Sequence, residues 1–289
     1  MIKTILVPAT GGEADAAGYA GALPIARSFA AHIDALHVRM DPVEVAVSMS
    51  TEGAGGTLLE GIIDSLTRDA DAAEAKARAG FSEFCSREGL SLVTAPGEAA
   101  AKPSGQFHVE TGQEARWTAV YGLTSDLAVA PRGVAGSDAV ARSTLETLLL
   151  ESGRPLLIPG ALPTPTTLAE RIAIAWKPTA QATRAVAYAM PLIARAKEVT
   201  VLTVEEDEGR RDAANRLIAY FAWHGIKAVA ERLAPGPLGA AATLLAAASA
   251  KAELLVMGGY GHTRLREWVF GGFTQRVLAD APLSVLIAH

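Results

Sequence analysis

The segment Val256–Gly272, VMGGYGHTRLREWVFGG, concentrates backbone freedom around a short basic run. Gly258, Gly259 and Gly261 come first, then His262, Arg264 and Arg266, then Gly271 and Gly272. Glycine lacks Cβ, so it takes positive φ and lets the backbone come close to a ligand. The first glycines follow the apolar run Leu254–Met257, which reads as a strand. The last pair precedes a helix expected to start near Phe273 or Thr274. Exposed N–H groups at a helix N-terminus attract anions. Two glycine-lined turns facing one space would hold a phosphate chain between them, and plain turns without a ligand are the alternative.

The other residues able to do chemistry form no constellation. Arg264 and Arg266 suit phosphate and equally suit a solvated basic face. His262 has no carboxylate or second histidine at a helpful spacing and reads as a loop residue. Trp268 and Phe270 read as core, and His32 and His37 as core or surface. Asp69, Asp71, Glu74 and Glu83 follow one helical pattern, which is the mark of a solvated face. Cys85 is the sole cysteine; it excludes an intrachain disulfide and reads as a small buried thiol on a helix. There is no G-x-S-x-G, H-E-x-x-H or G-x4-G-K-[ST] pattern, so no turnover is read.

The elements that position these residues occur twice. At an offset of 167, TILVPATGGEADAAGYAGALPIAR from Thr4 matches RIAIAWKPTAQATRAVAYAMPLIA from Arg171, pairing Thr10 with Lys177 and Pro24 with Pro191. Each copy gives a strand, a turn, an Ala-rich helix with a late proline, and a second strand ending at Val38 or Val204. At an offset of 127, SDLAVAPRG parallels AELLVMGGY, and SGRPLLIP parallels ADAPLSVLIA with Pro155 opposite Pro282. The first copy is therefore longer by about 40 residues, placed between Val38 and Ser125. That extra material is expected to hold the STEGAGG loop, a helix near Leu58–Glu88 and the polar stretch Gly97–Gln113. The proline-rich run Pro159–Glu170 reads as a linker. The expected domains are 1–162 and 168–289.

The runs TILVPA, DALHV, LSLVTA, DLAVAP and PLLIP are apolar throughout, which means strands buried on both faces. Strands alternating with helices predict a doubly wound parallel α/β sheet, built twice. Such sheets take ligands at the carboxyl ends of the strands, where the winding reverses. The last strands, Pro155–Ile158 and Leu283–Ala288, are expected to meet and form a pseudo-twofold pair within one chain.

The spacing from Gly258 through Gly261 to Gly271 is G-x2-G-x9-G, after a strand ending in V-M-G and before a helix leading to ADAPLSVLIA. With the openings ILVPATGG and IAIAWKPT, this resembles the universal stress protein family over nearly the whole chain. The resemblance implies flavodoxin-like domains in tandem, with ATP or AMP bound in many members and no nucleotide in others. It implies that Gly258, Gly261 and Gly271 line phosphates in the second domain and that Val204 sits where the family's backbone meets adenine. Where the family has Ser or Thr after the last glycine, this chain has Gly272, with Thr274 close enough to substitute. The family's Asp after the first strand is replaced by Thr10 and Lys177; a lysine meets phosphate as a point charge, and the usual Mg-ATP arrangement loses its acid. The first copy has Pro131, Thr144 and Leu145 opposite Gly258, Gly271 and Gly272. It is expected to serve as a structural partner or to shape the cleft with its longer central region.

Half of the residues are hydrophobic, a fifth are charged, and the net charge is −5. A sizeable core is implied, and nucleic acid is disfavoured as the main partner. MIKTILVPA is too short for a signal-peptide core, and no apolar window is long enough to span a bilayer. The sequence thus points to a cytoplasmic, nucleotide-responsive regulatory protein without a membrane partner, open to a homodimer or a protein partner. Its rivals are a module of the same fold binding a non-nucleotide ligand or a protein, and a weak ATP hydrolase.

Overall fold

The structure, a computed structural model, describes residues 1–49, 56–98, 101–132, 138–160, 169–204, 213–259, 274, 276–277 and 281–289. The first half opens with β1 (Thr4–Pro8), α1 (Asp15–Phe29) and β2 (His32–Arg39). It continues with α2 (Pro42–Met49), α3 (Gly56–Glu88), β3 (Ser91–Leu92), β4 (Ser104–Thr111), α4 (Glu114–Leu123), β5 (Leu127–Val129), α5 (Asp138–Glu151) and β6 (Leu156–Ile158). The second half has β7 (Arg171–Ala175), α6 (Ala180–Ile193), β8 (Glu198–Val204), α7 (Ala213–Trp223) and β9 (Val229–Leu233). It ends with α8 (Ala240–Lys251), β10 (Leu254–Gly258) and β11 (Ser284–Ala288).

All of these strands join one 11-stranded sheet in the order β3-β4-β2-β1-β5-β6-β11-β10-β7-β8-β9. Every neighbouring pair is parallel except β6 with β11. Each half winds outward from its first strand, then crosses back to the other side of it. Ile5, Leu6 and Val7 are all fully buried, because helices cover both faces. One core joins α1, α3, α6 and α7 to the sheet, with Ile5, Ala22, Phe81, Ala185 and Phe221 among its members. The other face carries Leu6, Leu148, Leu245 and Val277. No helix among the described residues is long and apolar enough to cross a membrane.

The last strands meet as expected. Leu157 pairs with Leu286, flanked by Ile158 with Val285 and Leu156 with Ile287, in antiparallel register. Ladder registers also locate the repeat. Ile5 pairs with Leu127 and Ile172 with Leu254, so the offsets of 167 and 127 hold through β5. The last strands depart from the expected alignment. Ala128 pairs with Leu156 and Leu255 with Val285, which sets Leu156 opposite Val285 at an offset of 129, not 127. At that offset Leu157 matches Leu286, its own partner across the seam, as a pseudo-twofold axis through this pair requires.

The polar stretch Gly97–Gln113 also differs from expectation. Instead of belonging wholly to the extra material, it contains β4, which pairs with β2 over eight residues from His32–Ser104 to Arg39–Thr111. β4 occupies the place that β9 holds beside β8. The run LSLVTA contributes only β3, a two-residue strand on the rim. The extra residues all precede β4: 64 residues (40–103) separate β2 from β4, and 24 (205–228) separate β8 from β9. Their main product is the 33-residue α3. Cys85 is buried on that helix, and burial pushes its thiol up to about 11.

Candidate functional site

In the second half the winding reverses between β7 and β10, and the chain leaves both strands at the carboxyl edge of the sheet. Met257 pairs with Ala175, so Gly258 lies beside Trp176 and just before the level of Lys177. On the other side of β7, Ala175 pairs with Leu202, and Val204 ends β8 opposite Leu233. The fold thus brings Lys177, Val204, Gly258 and Gly259 to one edge. Lys177 is exposed, and its carbonyl accepts the Thr179 N–H at 2.7 Å. Thr179 caps α6: its side-chain oxygen accepts the Ala182 N–H at 3.3 Å, which satisfies one orphan donor of the first turn. Val204 is half-buried against the α8 face, with Leu233 and Ala175.

The two described glycines of the motif have packing roles at this edge. A Cβ on Gly258 would overlap the backbone of Gln181 and Ala182, so glycine here lets the α6 N-terminus lie directly on the end of β10. Gly259 donates its N–H to the Ala288 carbonyl at 2.8 Å. That amide extends the β10–β11 ladder and is not offered to an anion, contrary to the expectation of a glycine cradle at this position. Thr274 is buried. Gly261, Gly271 and Gly272, together with His262, Arg264, Arg266, Trp268 and Phe270, lie outside the described residues. Among the described residues no group of three or more His, Cys, Asp or Glu is placed to hold a metal ion.

The equivalent edge of the first half is closed by the protein itself. Thr10 stands opposite Lys177, and Asp15, the first residue of α1, folds back over it. The Asp15 carboxylate accepts the Thr10 N–H at 3.0 Å, the Thr10 hydroxyl at 2.9 Å and the Gly11 N–H at 2.7 Å. An internal anion therefore occupies the amides that a phosphate would need, and would repel one. Gly11 has φ +79°, and a Cβ there would meet the Ala73 carbonyl at 2.6 Å, so α3 presses against this turn. Arg39 at the end of β2 pairs with Asp71 and Glu74 of the same helix. The longer central region does shape the first cleft, and Pro131 falls opposite Gly258 as the offset of 127 requires.

Sequence reasoning missed a polar cluster between β2 and β4. His108 Nε2 lies 2.8 Å from Asp34 Oδ1, His32 Nε2 lies 3.4 Å from the same oxygen, and His32 Nδ1 contacts Ser104 Oγ at 2.8 Å. Burial pushes the Asp34 carboxyl up, but the hydrogen bonds and charge of His108 and His32 outweigh it and hold it down at about 2. Beside them the Tyr121 hydroxyl donates to Glu110 at 2.8 Å; burial first, then that carboxylate, pushes the phenol up to about 12. The signal was present in Gln106-Phe107-His108-Val109-Glu110, an alternation of period two that marks a half-buried strand.

The model of the universal stress protein family matches residues 169–289, the half that carries the glycine pattern and this edge. Residues 169–289 thus resemble the universal stress protein family in sequence. Over 99% of the chain the fold is similar to the crystal structure of a universal stress protein from Archaeoglobus fulgidus DSM 4304, with TM-score 0.71, 14% identity and 97% of that chain covered. A functionally unknown protein from Pseudomonas aeruginosa PAO1 shares the fold over 99% of this chain and 92% of its own, with TM-score 0.58 and 14% identity. The cytoplasmic domain of a prokaryotic cation chloride cotransporter does so at TM-score 0.52 and 10% identity, over 99% and 95% of the two chains. At these identities the likeness is one of fold. No curated protein matches the sequence. Both halves of the chain therefore have the universal stress protein architecture, and the second half also carries the family's sequence.

Proposed function

We propose that the chain is a stress-response regulatory protein of the cytoplasm whose second half binds an adenine nucleotide, ATP or AMP, at its carboxyl edge. The observation that carries this reading is the convergence of Lys177, Val204 and Gly258 at the winding reversal of the half that resembles the family. A lysine there meets phosphate as a compact charge. The apolar end of β8 at Val204 suits a base. Magnesium is not required by this reading, since Lys177 stands where an acid would hold it.

The test is equilibrium binding of ATP, ADP and AMP, with and without magnesium, to the full chain. Saturable binding is expected, little changed by magnesium. Gly261→Val is expected to abolish it while leaving the far-ultraviolet circular dichroism unchanged; unaltered affinity would sink the loop assignment. A phosphate-release assay on the ATP complex then tests for hydrolysis. A second reading, a non-nucleotide ligand or a protein at the same edge, is favoured by one observation. The Gly259 amide is already committed to Ala288. Absence of binding by all three nucleotides selects that reading.

A further inference from the structure

β4 is bonded on both sides only at its start. All eight of its residues pair with β2, whereas β3 pairs with Ser104 and Gly105 alone. The direction of each peptide group follows from the bonds at the two ends. The Ser104 N–H donates to the Ala31 carbonyl at 3.3 Å, and the Gly112 N–H to the Arg39 carbonyl at 2.9 Å, so the even-numbered residues face β2. Peptide groups of successive residues in a strand point to opposite sides, so the odd-numbered residues face away. The Gly105 carbonyl accepts the Val93 N–H there at 3.0 Å. Beyond it, Phe107, Val109 and Thr111 turn their N–H and C=O groups to the rim. Among the described residues one group meets them, the Trp117 indole N–H on the Thr111 carbonyl at 3.0 Å. Native sheets blunt such edges with proline, lysine or a bulge. Ser104–Thr111, SGQFHVET, has neither residue, and its register with β2 is unbroken.

The charges on this strand select a second copy of itself, in one register. An antiparallel pair of identical strands is related by a twofold axis that passes through a residue and its own copy. An axis at His108 sets two histidines opposite each other, and one at Glu110 opposes two carboxylates, which is destabilising. An axis at Phe107 needs Gly105, which β3 already holds. An axis at Val109 sets His108 opposite the partner's Glu110, and Glu110 opposite the partner's His108, so unlike groups meet twice. The same axis makes Val109 with the partner's Val109, and Phe107 with the partner's Thr111, the hydrogen-bonded pairs. These are the residues whose peptide groups face the rim.

We propose that the chain forms a homodimer by antiparallel pairing of β4 with β4 of a second copy, centred on Val109. The pairing joins two 11-stranded sheets edge to edge and is distinct from the β6–β11 seam within the chain. It does not depend on the nucleotide reading of the second half. So short an edge buries little surface, so the dimer is a weak one, with a dissociation constant in the micromolar range.

The test is sedimentation velocity of the full chain across the micromolar range, where a monomer–dimer equilibrium is expected. Val109→Pro removes a rim N–H at a position where an edge strand tolerates proline. It should raise the dissociation constant at least about tenfold and leave the far-ultraviolet circular dichroism unchanged. Glu110→Lys puts a cation opposite the partner's His108 and should weaken the dimer as well. Trp223→Ala, which removes a 91% exposed side chain of α7 in the other half, should leave it unchanged. Val109→Cys should cross-link to its own copy through a short bis-maleimide, since Cys85 is buried. A monomer at every concentration, a dimer equally strong in both β4 variants, a dimer lost in Trp223→Ala, or no cross-link in Val109→Cys would each overturn the proposal.

Discussion

At the scale of single residues, the charged and polar groups of the first half are used to close it. Asp15 supplies the anion at the turn after β1, and Arg39 ties that edge to α3. The neighbouring cluster around Asp34 has a measurable consequence. Its carboxyl sits at about 2 in the folded chain, below its ordinary value of 3.8. A carboxyl lowered on folding contributes stability that is fully present above its unfolded value and is lost as pH falls through the folded one. The contribution is about 2 kcal/mol, lost between about pH 4 and pH 2. Urea denaturation across that range is expected to show this loss in the wild type. In Asp34→Asn the curve should lack it, and an unchanged slope would remove the cluster from the account of stability. Sequence reading set His32 and His37 aside as ordinary core or surface residues. The types were visible, but His32 meets Ser104 and Asp34 meets His108 on β4, each more than 70 residues away, and His37 meets the Ala9 carbonyl after β1.

At the scale of elements, the two helices that follow the first strand of each half start differently. α1 begins under an acidic side chain that turns back to the preceding loop, whereas α6 begins with a Thr cap and lies on Gly258. Thr179→Ala removes the oxygen that accepts the Ala182 N–H and is expected to cost about 1 kcal/mol, read as a lower denaturation midpoint. Thr179→Ser should restore most of it. Since α6 packs directly on the end of β10, the same variant should also weaken nucleotide binding if that edge is the site. The helices of both halves, with Pro24 and Pro191 inside them, were legible because Ala-rich periodicity is local. β4 was not read as a strand because its polar residues alternate with only Phe107 and Val109. Its pairing with β2 spans an insertion of tens of residues, which no local pattern reports.

At the scale of the whole molecule, the seam between β6 and β11 makes one sheet of two copies. The β9 rim is a poor template for further growth: it carries Glu231 and Arg232, a charged edge of the kind that discourages pairing. Leu157 and Leu286 face the same core across the pseudo-twofold axis. Leu286→Ala is expected to destabilise the chain by about 2–5 kcal/mol through the cavity it leaves. Because the core is shared, hydrogen exchange should quicken in β5 and β6 as well as in β10 and β11. Protection lost in the second half alone would mean that the halves are energetically separate.

The sequence by itself determined the parallel α/β class, the duplication and the meeting of the last strands. These follow from continuous apolar runs, helical periodicity and repeated spacing, all carried by residues near one another in the chain. That the two carboxyl edges differ was already legible in Pro131, Thr144 and Leu145; only the tertiary structure decided how each is built. One is closed over by Asp15 and α3, and the other gathers Lys177, Val204 and Gly258. The physical reason is that burial, unmet hydrogen bonds and close backbone approach arise between residues far apart in sequence, and exist only once the sheet has brought them together.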